Sequence, residues 1–468
     1  MEKRKSRTCV ASIIIWLGII FCAPAYSATW YVDADAPIWG DGHSWSTAFK
    51  NIQKAINAAS EQWTVCFSPP DQIKVKEGTY YLTSEIVVNK VVSIVGGYND
   101  LGKYDPVKHP TIIDGRDLVR CMNITQPCTI KGFIIRNGNS AASGGGIYVD
   151  SNPVYCPMLD FYHAPIIKNC RILNNTAVTG GGIYDNGSDI IIRSCIFRNN
   201  SAVTGGAIYH VSSGLTIEEC VFSDNESTGA GSLGGGAVGG YRHNYTTQKY
   251  ASMTNCLFHH NDSASWGGAV SYTQVYPTII NCTFADNNAA IAGGAFHGNM
   301  NSEAPNVANS IFWGDSPDEL DIVTSSPNLS VRYSDVQGGW TGAGTGNLDD
   351  DPEFISILNY RLRPQSPCID TGSNYMGPDN DLDDGSRPVD GNDDGIATCD
   401  MGAYEHSVPG DFDRDFDIDG RDFSRFMRTF GYGQGNKLYY PDADFVGTDD
   451  QIDENDLEVM AAKFGKVF

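Results

Sequence analysis

A Gly-Gly pair followed by a small or apolar residue occurs six times between residues 144 and 296 of this 468-residue chain. A second phrase, Cys-x-Phe-x-x-Asn, alternates with it, as at Cys195, Phe197 and Asn200. The repeated cysteines stand at positions 170, 195, 220, 256 and 282, in steps of 25, 25, 36 and 26 residues. A period in the twenties is typical of a solenoid, in which each repeat forms one coil and packs against its neighbours.

One repeat, residues 205–230, predicts three short strands separated by turns. The first strand follows the glycines at 205–206, and the other two are Leu215-Thr216-Ile217 and Cys220-Val221-Phe222. These short segments alternate in polarity as half-buried strands do, and none has helical periodicity. The sequence therefore predicts an all-β fold, a single-stranded parallel β-helix over residues 85–345.

Equivalent residues of successive coils are expected to form columns, because such coils stack about 4.8 Å apart. One inward column consists of Ile192, Ile217 and Ile279, and another of Phe197, Phe222, Phe258, Phe284 and Phe312. A ladder of side-chain amides is expected at a buried turn, formed by Asn175, Asn200, Asn225, Asn261 and Asn287. The five repeated cysteines are expected to be small buried groups rather than disulfides or metal ligands, because their number is odd and no histidine accompanies them.

The two phrases together resemble the repeats of the chlamydial polymorphic outer membrane proteins. More widely, they resemble secreted bacterial right-handed parallel β-helix proteins with the pectate-lyase-like (pectin lyase-like) fold. The resemblance covers roughly residues 130–315 and implies a right-handed coil. It implies no single function, since that fold carries lyases, hydrolases, adhesins and structural stalks.

The N-terminus has the pattern of a secretory signal peptide over residues 1–27. A basic stretch at 2–7 precedes apolar residues 10–22, and Ala25, Ser27 and Ala28 offer a cleavage site. The apolar stretch is too short to span a bilayer. We therefore expect an exported protein, secreted or at the cell surface, without a transmembrane helix in the mature chain.

Residues 28–84 predict an N-terminal cap with an amphipathic helix that carries Ile52, Ala55 and Ile56. The phrases Tyr-Val-Asp at 31–33 and Gly-Thr-Tyr at 78–80 resemble the entry segment of many secreted bacterial β-helix proteins. A cap is expected because the first coil of a solenoid has no neighbour to cover it.

Negative charge is concentrated near the C-terminus. Of the formal net charge of −24, residues 348–468 contribute −18, with 28 acidic and 10 basic side chains. Nucleic acid is not expected as a partner, because phosphates need a basic surface. The regular spacing of the acids indicates cation binding instead.

Residues 346–409 resemble the segment called choice-of-anchor Q. The matching phrases are Asp351-Pro352-Glu353-Phe354, Ser366-Pro367-Cys368-Ile369-Asp370-Thr371-Gly372 and Asp400-Met401-Gly402-Ala403-Tyr404-Glu405. The resemblance implies a terminal cap and association with a surface. Cys368 and Cys399, in the same segment, are a predicted disulfide. The acidic run 379–385 is interpreted either as a Ca²⁺ site or as a solvated loop.

Residues 410–468 contain a duplicated calcium-loop pattern. Ca²⁺ prefers six to eight oxygen ligands, which an EF-hand-type loop supplies from alternate residues. The first predicted site consists of Asp411, Asp413, Asp415, Asp417, Asp419 and Asp422. A second, less regular site consists of Asp442, Asp444, Asp449, Asp453 and Asp456.

Each predicted calcium loop is followed by an amphipathic stretch, and the pair resembles a type I dockerin. This implies Ca²⁺ as the cofactor, at one or two sites, and a cohesin-type or other cell-surface anchoring partner. Two features depart from the pattern, since Phe416 replaces the usual glycine and the second loop is longer. The alternative is a calcium-stabilised clip that has no partner.

The Gly-Gly strands carry the candidate residues for function. Their predicted outward positions include five candidate carbohydrate-binding side chains, Tyr148, Tyr184, Tyr209, Tyr272 and His297. Tyrosine is also common on sheet faces that bind nothing. Asp185 and His210 are the candidate catalytic residues. However, the sequence shows no obvious set of carboxylates with an arginine, which lyases and glycosidases of this fold use.

Three functions remain open on this basis. The prediction is a non-catalytic β-helix that binds polysaccharide or another surface and is tethered through its calcium module. A polysaccharide lyase or glycoside hydrolase delivered by a dockerin is the first alternative. A purely structural stalk is the second.

Overall fold

Four parallel β-sheets wind through the repeat region, and each receives one strand from successive coils. The structure is a computed structural model. It describes residues 27–60, 69–151, 154–156, 161–212, 214–230, 233–242, 250–300, 305–324, 330–392, 394–406, 410, 418–433, 443 and 451–465. We number the sheets in the order in which one coil, residues 191–211, passes through them.

The strands of each sheet pair only in parallel, with neighbours one coil apart. Sheet 1 contains Thr29–Val32, Asp71–Lys76, Val92–Tyr98, Thr129–Lys131, Ile166–Lys168, Ile191–Arg193, Leu215–Glu218, Tyr250–Thr254, Tyr276–Ile280, Asn306–Ala308 and Ser330–Arg332. Sheet 2 contains Gly78–Tyr81, Thr111–Asp114, Phe133–Arg136, Arg171–Leu173, Ile196–Arg198, Val221–Ser223, Leu257–His259, Thr283–Ala285, Ile311–Trp313 and Asp335–Val336. Sheet 3 contains Thr176–Thr179, Ser201–Thr204, Glu226–Ser227, Asp262–Ser263 and Asn288–Ala289. Sheet 4 contains Ile86–Val88, Met122–Ile124, Ile147–Val149, Ile183–Asn186, Ile208–Val211, Val238–Tyr241, Val270–Thr273, Phe296–Met300 and Leu320–Thr324.

Other elements flank the sheets. Two antiparallel hairpins pair Val154–Cys156 with Phe161–His163 and Phe354–Ser356 with Asn359–Leu362. The helices are a 3₁₀ turn at Trp45–Thr47, α1 (Ile52–Ala58), α2 (Gly420–Thr429) and α3 (Glu454–Lys463). The α1 helix buries Ile52, Ala55 and Ile56, as predicted for the N-terminal cap. Among the described helices, none has the length and apolar character needed to cross a membrane.

The prediction of three strands per coil was incomplete, because a fourth strand follows the ladder asparagine. In one coil this strand is Ser201–Thr204, which lies between two left-handed residues, Asn199 (φ 54°) and Gly205 (φ 63°). The chain bends at both points and is extended between them. A Cβ at Gly205 would lie 2.4 Å from the carbonyl oxygen of Ile208, so this bend requires glycine.

Two apolar columns fill the interior, as the repeats predict. The first is a run of phenylalanines whose ring centroids lie 4.6–4.9 Å apart, formed by Phe197, Phe222, Phe258, Phe284 and Phe312. The second runs through sheet 1 and consists of Ile167, Ile192, Ile217, Met253, Ile279 and Val307. Burying each such side chain contributes about 1.5–3 kcal/mol to stability.

The predicted amide ladder is confirmed. Asn225 is fully buried, and its Nδ2 donates to Oδ1 of Asn261 at 2.9 Å and to the carbonyl of Phe197 at 3.0 Å. Its Oδ1 accepts from the backbone N–H and from Nδ2 of Asn200, both at 3.0 Å. The same contact joins the whole series, Asn175, Asn200, Asn225, Asn261 and Asn287. The ladder therefore pairs amide groups that burial would otherwise leave unsatisfied.

The ladder ends on a carboxyl group. Asp315 takes the next position, and its Oδ1 accepts from the backbone N–H and from Nδ2 of Asn287, both at 2.7 Å. Glu319 lies beside it and accepts from the backbone N–H of Asp315 at 3.2 Å. Burial raises the pKa of Asp315 to about 7. Burial and the neighbouring charge of Asp315 raise the pKa of Glu319 to about 11, so this acid is protonated at neutral pH.

Replacing Asp315 by asparagine is expected to stabilise the protein near neutral pH. The folded pKa of about 7 lies above the ordinary value of about 3.9, so the folded state keeps a proton that the unfolded chain releases. Wild-type stability therefore falls as pH rises between these values. The amide does not titrate. We therefore expect the variant to raise the free energy of unfolding by on the order of 2 kcal/mol at neutral pH, and by little at a pH near the ordinary pKa of aspartate. Urea unfolding at both pH values measures this, and an equal effect at both would contradict the titration.

The five repeated cysteines are free thiols, as predicted. Each is at most 1% exposed, and the set is Cys170, Cys195, Cys220, Cys256 and Cys282. A representative contact is that of Cys220, whose Sγ donates to the carbonyl of Glu218 at 3.1 Å. These residues therefore behave as small buried groups that pack the interior.

The predicted disulfide between Cys368 and Cys399 is not formed in the structure, where both thiols are free and buried. Cys368 Sγ donates to Oδ2 of Asp335 at 3.2 Å. Cys399 Sγ accepts from Nδ2 of Asn309 at 3.3 Å. The prediction was wrong because the two cysteines contact different coils, although they share one segment of sequence.

Residues 346–392 and 394–406, which we call the flanking segment, fold back along the outer face of sheet 2. Asn281 and Asn309 occupy left-handed turns beside that sheet and donate their side-chain N–H groups to the carbonyls of Asp400 (3.2 Å) and Ser373 (3.1 Å). The segment predicted as a cap therefore lies along one side of the coil stack, and Trp340, which precedes it, packs against the core.

A buried ion pair lies inside the flanking segment. Nε of Arg387 is 2.8 Å from Oε2 of Glu405, and their side chains are 1% and 2% exposed. Asp381, from the acidic run 379–385, is also buried. Its two oxygens accept from the backbone N–H groups of Asp383, Gly385 and Glu405. This carboxylate therefore holds a turn in place and is not a solvated side chain.

Candidate functional site

The outer face of sheet 4 is the candidate site. Its Gly-Gly strands start with buried residues such as Ile147, Ile183 and Ile208, so the next residue of each faces outward. In strand register these outward residues are Asn123, Tyr148, Tyr184, Tyr209, Gly239, Ser271, His297 and Asp321, which we call the outer column. At about 4.8 Å per step, the column is about 34 Å long.

Three tyrosines of the outer column form a stack. The rings of Tyr148 and Tyr184 lie 5.5 Å apart at 12°, and those of Tyr184 and Tyr209 lie 6.2 Å apart at 10°. A Cβ at Gly239 would lie 2.9 Å from Cδ2 of Tyr209, so the glycine leaves room for that ring. The rings cover one another, and therefore their edges and hydroxyls point outward rather than their faces.

The three phenolic hydroxyls are available to a ligand. Within the described residues, none of the three hydroxyls makes a hydrogen bond. None of them is among the fully buried polar atoms that lack a partner. Burial raises the pKa of Tyr148, Tyr184 and Tyr209 above that of free tyrosine. The hydroxyls are therefore neutral around pH 7, and each can both donate and accept.

An ion pair that the sequence did not reveal adjoins the stack. Nη1 of Arg120 lies 2.7 Å from Oε2 of Glu85, and the guanidinium lies 5.0 Å from the centre of the Tyr148 ring. Nδ2 of Asn123 donates to Oε1 of Glu85 at 3.3 Å. These coils lack the Gly-Gly phrase. Arg120 lies beside the tyrosines because its strand pairs in register with theirs, with Met122 opposite Ile147.

A groove of about 300 Å³ lies at the other end of the outer column. Its walls include Ser271, His297 and Asp321 of the column, together with Trp266, Asn299 and Val323. Nδ1 of His297 lies 2.8 Å from Oδ2 of Asp321, and the rings of Trp266 and His297 stack 5.7 Å apart. The sequence predicted His297 here but missed Asp321, whose strand follows the last Gly-Gly phrase.

Three predicted site residues face the interior instead. Asp185, His210 and Tyr272 are 0% exposed and occupy one inward register of sheet 4. Each comes one position after an outward residue, and consecutive strand residues point to opposite faces. Gly240 lies between His210 and Tyr272 in this register and leaves space for their side chains. The prediction that these residues face a substrate was therefore wrong.

The C-terminal module contains two related helices. Asp419 accepts from the backbone N–H of Arg421 at 2.6 Å at the start of α2, and Asp453 accepts from that of Asn455 at 2.7 Å at the start of α3. The residues that flank the two helices exchange backbone hydrogen bonds. Gly431 N–H donates to the carbonyl of Ile452, and Gly465 N–H to that of Ile418, both at 2.7 Å. The repeated sequence therefore forms a pseudo-symmetric pair.

Only some of the predicted calcium ligands belong to the described residues. Asp422 and Asp456 are fully buried at the first turns of α2 and α3. Asp419 and Asp453 are also described and cap the N-termini of these helices. The remaining predicted ligands lie outside the described residues and are Asp411, Asp413, Asp415, Asp417, Asp442, Asp444 and Asp449. In the part that the structure describes, no three His, Cys, Asp or Glu side chains form a metal cluster. Calcium binding stays a prediction.

Comparison with known proteins supports the fold. Residues 112–247 match the family described as a right handed beta helix region. Similar solved structures include the pectate lyase Pel9A, with 14% identity, coverage of 82% of this chain and 98% of that chain, and a TM-score of 0.46. A rhamnogalacturonan lyase has 12% identity, coverage of 70% and 91%, and a TM-score of 0.37. No curated protein matches the sequence. The parallel sheets and the match over residues 112–247 show that this chain is an all-β protein with the right-handed parallel β-helix fold.

Proposed function

We propose that this protein binds an extended polysaccharide along the outer face of sheet 4. The observation that carries the proposal is the row of tyrosine hydroxyls, which continues from the Arg120–Glu85 pair towards the groove at His297. A polysaccharide presents hydroxyl groups at regular intervals, and neutral phenols can donate to them and accept from them. The tyrosine rings cover each other, so the proposed contacts are made by their hydroxyls and edges and not by stacking of ring faces on sugars.

A neutral glycan suits the protein better than a polyuronate. The formal net charge of the whole chain is −24, so long-range repulsion opposes the approach of a polyanion to the protein. Arg120 is already paired with Glu85, so it offers little net positive charge to an acidic sugar. We therefore propose a neutral hemicellulose-type chain as the ligand.

Replacing Tyr184 by alanine is expected to weaken glycan binding at least about tenfold, since it removes a hydroxyl and interrupts the stack. The Tyr184→Phe variant keeps the ring, and losing one hydrogen bond of about 0.5–1.5 kcal/mol is expected to weaken binding about 2–10-fold. Affinity electrophoresis in gels containing hemicelluloses, pectins or alginates measures both effects. Tyr375→Ala is the matched control, because Tyr375 is 99% exposed on the flanking segment.

Two outcomes would count against this function. If none of the polysaccharides retards the wild type, the structural stalk becomes the better account. If Tyr375→Ala weakens binding as much as Tyr184→Ala, the glycan lies elsewhere on the protein. Retardation by pectin or alginate but not by hemicellulose would contradict the preference for a neutral chain.

We also propose that the protein is exported and anchored through its C-terminal module. The pseudo-symmetric α2 and α3 support a dockerin-like unit that binds Ca²⁺ and a cohesin-type or cell-surface partner. The described acids Asp422 and Asp456 stand at equivalent points of the two halves. Secretion and anchoring would bring the outer face of sheet 4 to an extracellular glycan.

Calorimetric titration of the full chain with Ca²⁺ is expected to show a dissociation constant of about 10⁻⁷–10⁻⁵ M, the range of EF-hand sensor sites. Asp422→Asn is expected to remove the tighter component, because it converts a buried carboxylate at the end of the first loop into an amide. Asp35→Asn is the control, since Asp35 is exposed in the N-terminal cap and belongs to neither acidic region. Absence of binding in this range would contradict the calcium module.

A further inference from the structure

A serine, a histidine and an aspartate lie side by side in the outer column. Ser271, His297 and Asp321 occupy equivalent positions in three successive strands of sheet 4, so His297 has one of the others on each side. All three line the groove of about 300 Å³. Strands about 4.8 Å apart bring neighbouring side chains of one column within reach of each other.

The contact with Asp321 sets the tautomer and orientation of His297. Nδ1 of the ring lies 2.8 Å from Oδ2 of Asp321. Because a carboxylate only accepts, the neutral ring carries its proton on Nδ1 and has a lone pair on Nε2. Ser271 is the partner of His297 in the strand on the other side. Trp266 stacks on the ring at an interplanar angle of 28° and restricts its rotation.

Ser271 supplies a hydroxyl that has no other role in the fold. The residue is only 2% exposed, yet it lines the groove, and its Oγ makes no hydrogen bond within the described residues. Asn299 lines the same groove two positions after His297 and presents a side-chain amide there. Trp266 and Val323 add apolar walls, which suit a small acyl group.

We propose that this groove hydrolyses ester-linked small acyl groups on the bound glycan, and the glycan part of this proposal rests on the proposed function. Ser271 Oγ attacks the acyl carbon while Nε2 of His297 takes the hydroxyl proton. The bond from the acyl carbon to the sugar oxygen then breaks, and His297 returns the proton to that oxygen. Water attacks the acyl-serine with His297 again as the base, which releases a carboxylic acid and restores the Ser271 hydroxyl.

Asp321 and Asn299 have separate roles in this reaction. Asp321 is a positioning residue, which holds the imidazole and stabilises its charged form. The Asn299 amide donates to the oxygen that becomes negative in the tetrahedral intermediate. No reactant other than the ester and water is consumed.

Treatment of the full chain with a fluorophosphonate, which modifies activated serines, tests the nucleophile without any glycan. We expect one adduct on Ser271, located by peptide mass spectrometry and absent from Ser271→Ala. His297→Gln is expected to slow the labelling at least about 100-fold, the usual effect of losing a general base. Ser252→Ala is the control, since Ser252 lies on an outward position of sheet 1, and it is expected to label at the wild-type rate.

A second measurement separates this site from glycan binding. Acetate release from acetylated hemicellulose is expected to stop in Ser271→Ala, and affinity electrophoresis of the wild type measures glycan binding separately. Labelling of Ser271 without glycan retardation would overturn the proposed function but support the ester site. If folded protein gives no adduct on Ser271, or labels equally fast in His297→Gln, the ester site is wrong whatever the glycan binding shows.

Discussion

Replacing Arg387 by methionine is expected to lower the free energy of unfolding by about 3–5 kcal/mol, because it leaves a buried carboxylate without its counter-charge. Arg387 and Glu405 are 2.8 Å apart and almost fully enclosed. The guanidinium also donates to the carbonyl of Gly402 through both terminal nitrogens, at 3.2 Å. Burial raises the pKa of Glu405 to about 7 although Arg387 opposes the rise, so the variant is expected to take up a proton.

The matched control for this variant is Arg198→Met. Arg198 pairs with Asp224 at 3.0 Å, but the two side chains are 60% and 38% exposed. An exposed pair of this kind contributes about 0–1 kcal/mol. Urea unfolding of both variants gives the comparison, and equal losses would show that enclosure of the Arg387 pair has no special effect on stability.

Replacing Asn225 by alanine is expected to lower the free energy of unfolding by about 3–5 kcal/mol, since each buried group left without a partner costs about 1–3 kcal/mol. The variant removes the side-chain donor to the carbonyl of Phe197, and it leaves Oδ1 of Asn261 with only the backbone N–H of residue 225, at 3.1 Å. It also leaves the backbone N–H of Asn200 without its acceptor, and Nδ2 of Asn200 keeps only the carbonyl of Ile172, at 2.9 Å. These groups are buried, so water cannot readily replace the missing amide.

Asn186→Ala is the control for the ladder variant. Asn186 is exposed, and its Nδ2 donates to Oδ1 of Asp150 at 3.2 Å on the surface. A surface substitution of this type usually changes stability by less than about 0.5 kcal/mol. A loss in Asn225→Ala no larger than that in Asn186→Ala would mean that the ladder does not hold the coils together.

The interior was predictable from the sequence because one phrase repeats at each coil. Cys220, Phe222 and Asn225 keep the same spacing as their counterparts in neighbouring coils, so stacking alone assigns each to a column. The chemistry of each column then follows from burial. A phenylalanine packs on its neighbours, and an amide must pair with the amides above and below it.

The outer face was predicted less well, because an error of one position reverses the direction of a strand side chain. Asp185 follows Tyr184 directly and therefore faces the interior when Tyr184 faces outward. Counting from the buried Ile183 would have given the correct side. Glu85 and Arg120 were not predicted for a different reason. Their coils lack the Gly-Gly phrase, and only strand register places them beside Tyr148.

The position of the flanking segment could not be predicted from periodicity. Its contacts with sheet 2, such as that of Asn281 with the carbonyl of Asp400, join residues 119 positions apart in the sequence. The free thiols of Cys368 and Cys399 follow from the same packing, because Asp335 and Asn309 hold them against different coils. Proximity in the sequence carried no information on either contact.

Hydroxyl-radical footprinting of the protein with the polysaccharide that binds best tests the central claim most directly, because it locates the bound chain. We predict that saturating glycan slows oxidation of Tyr148, Tyr184 and Trp266, and leaves Tyr375 and Trp39 unchanged. Trp39 is 77% exposed at the N-terminal end and serves as the matched indole control. Unchanged oxidation of Tyr148 and Tyr184, or protection of Tyr375 and Trp39 instead, would contradict binding along the outer face of sheet 4.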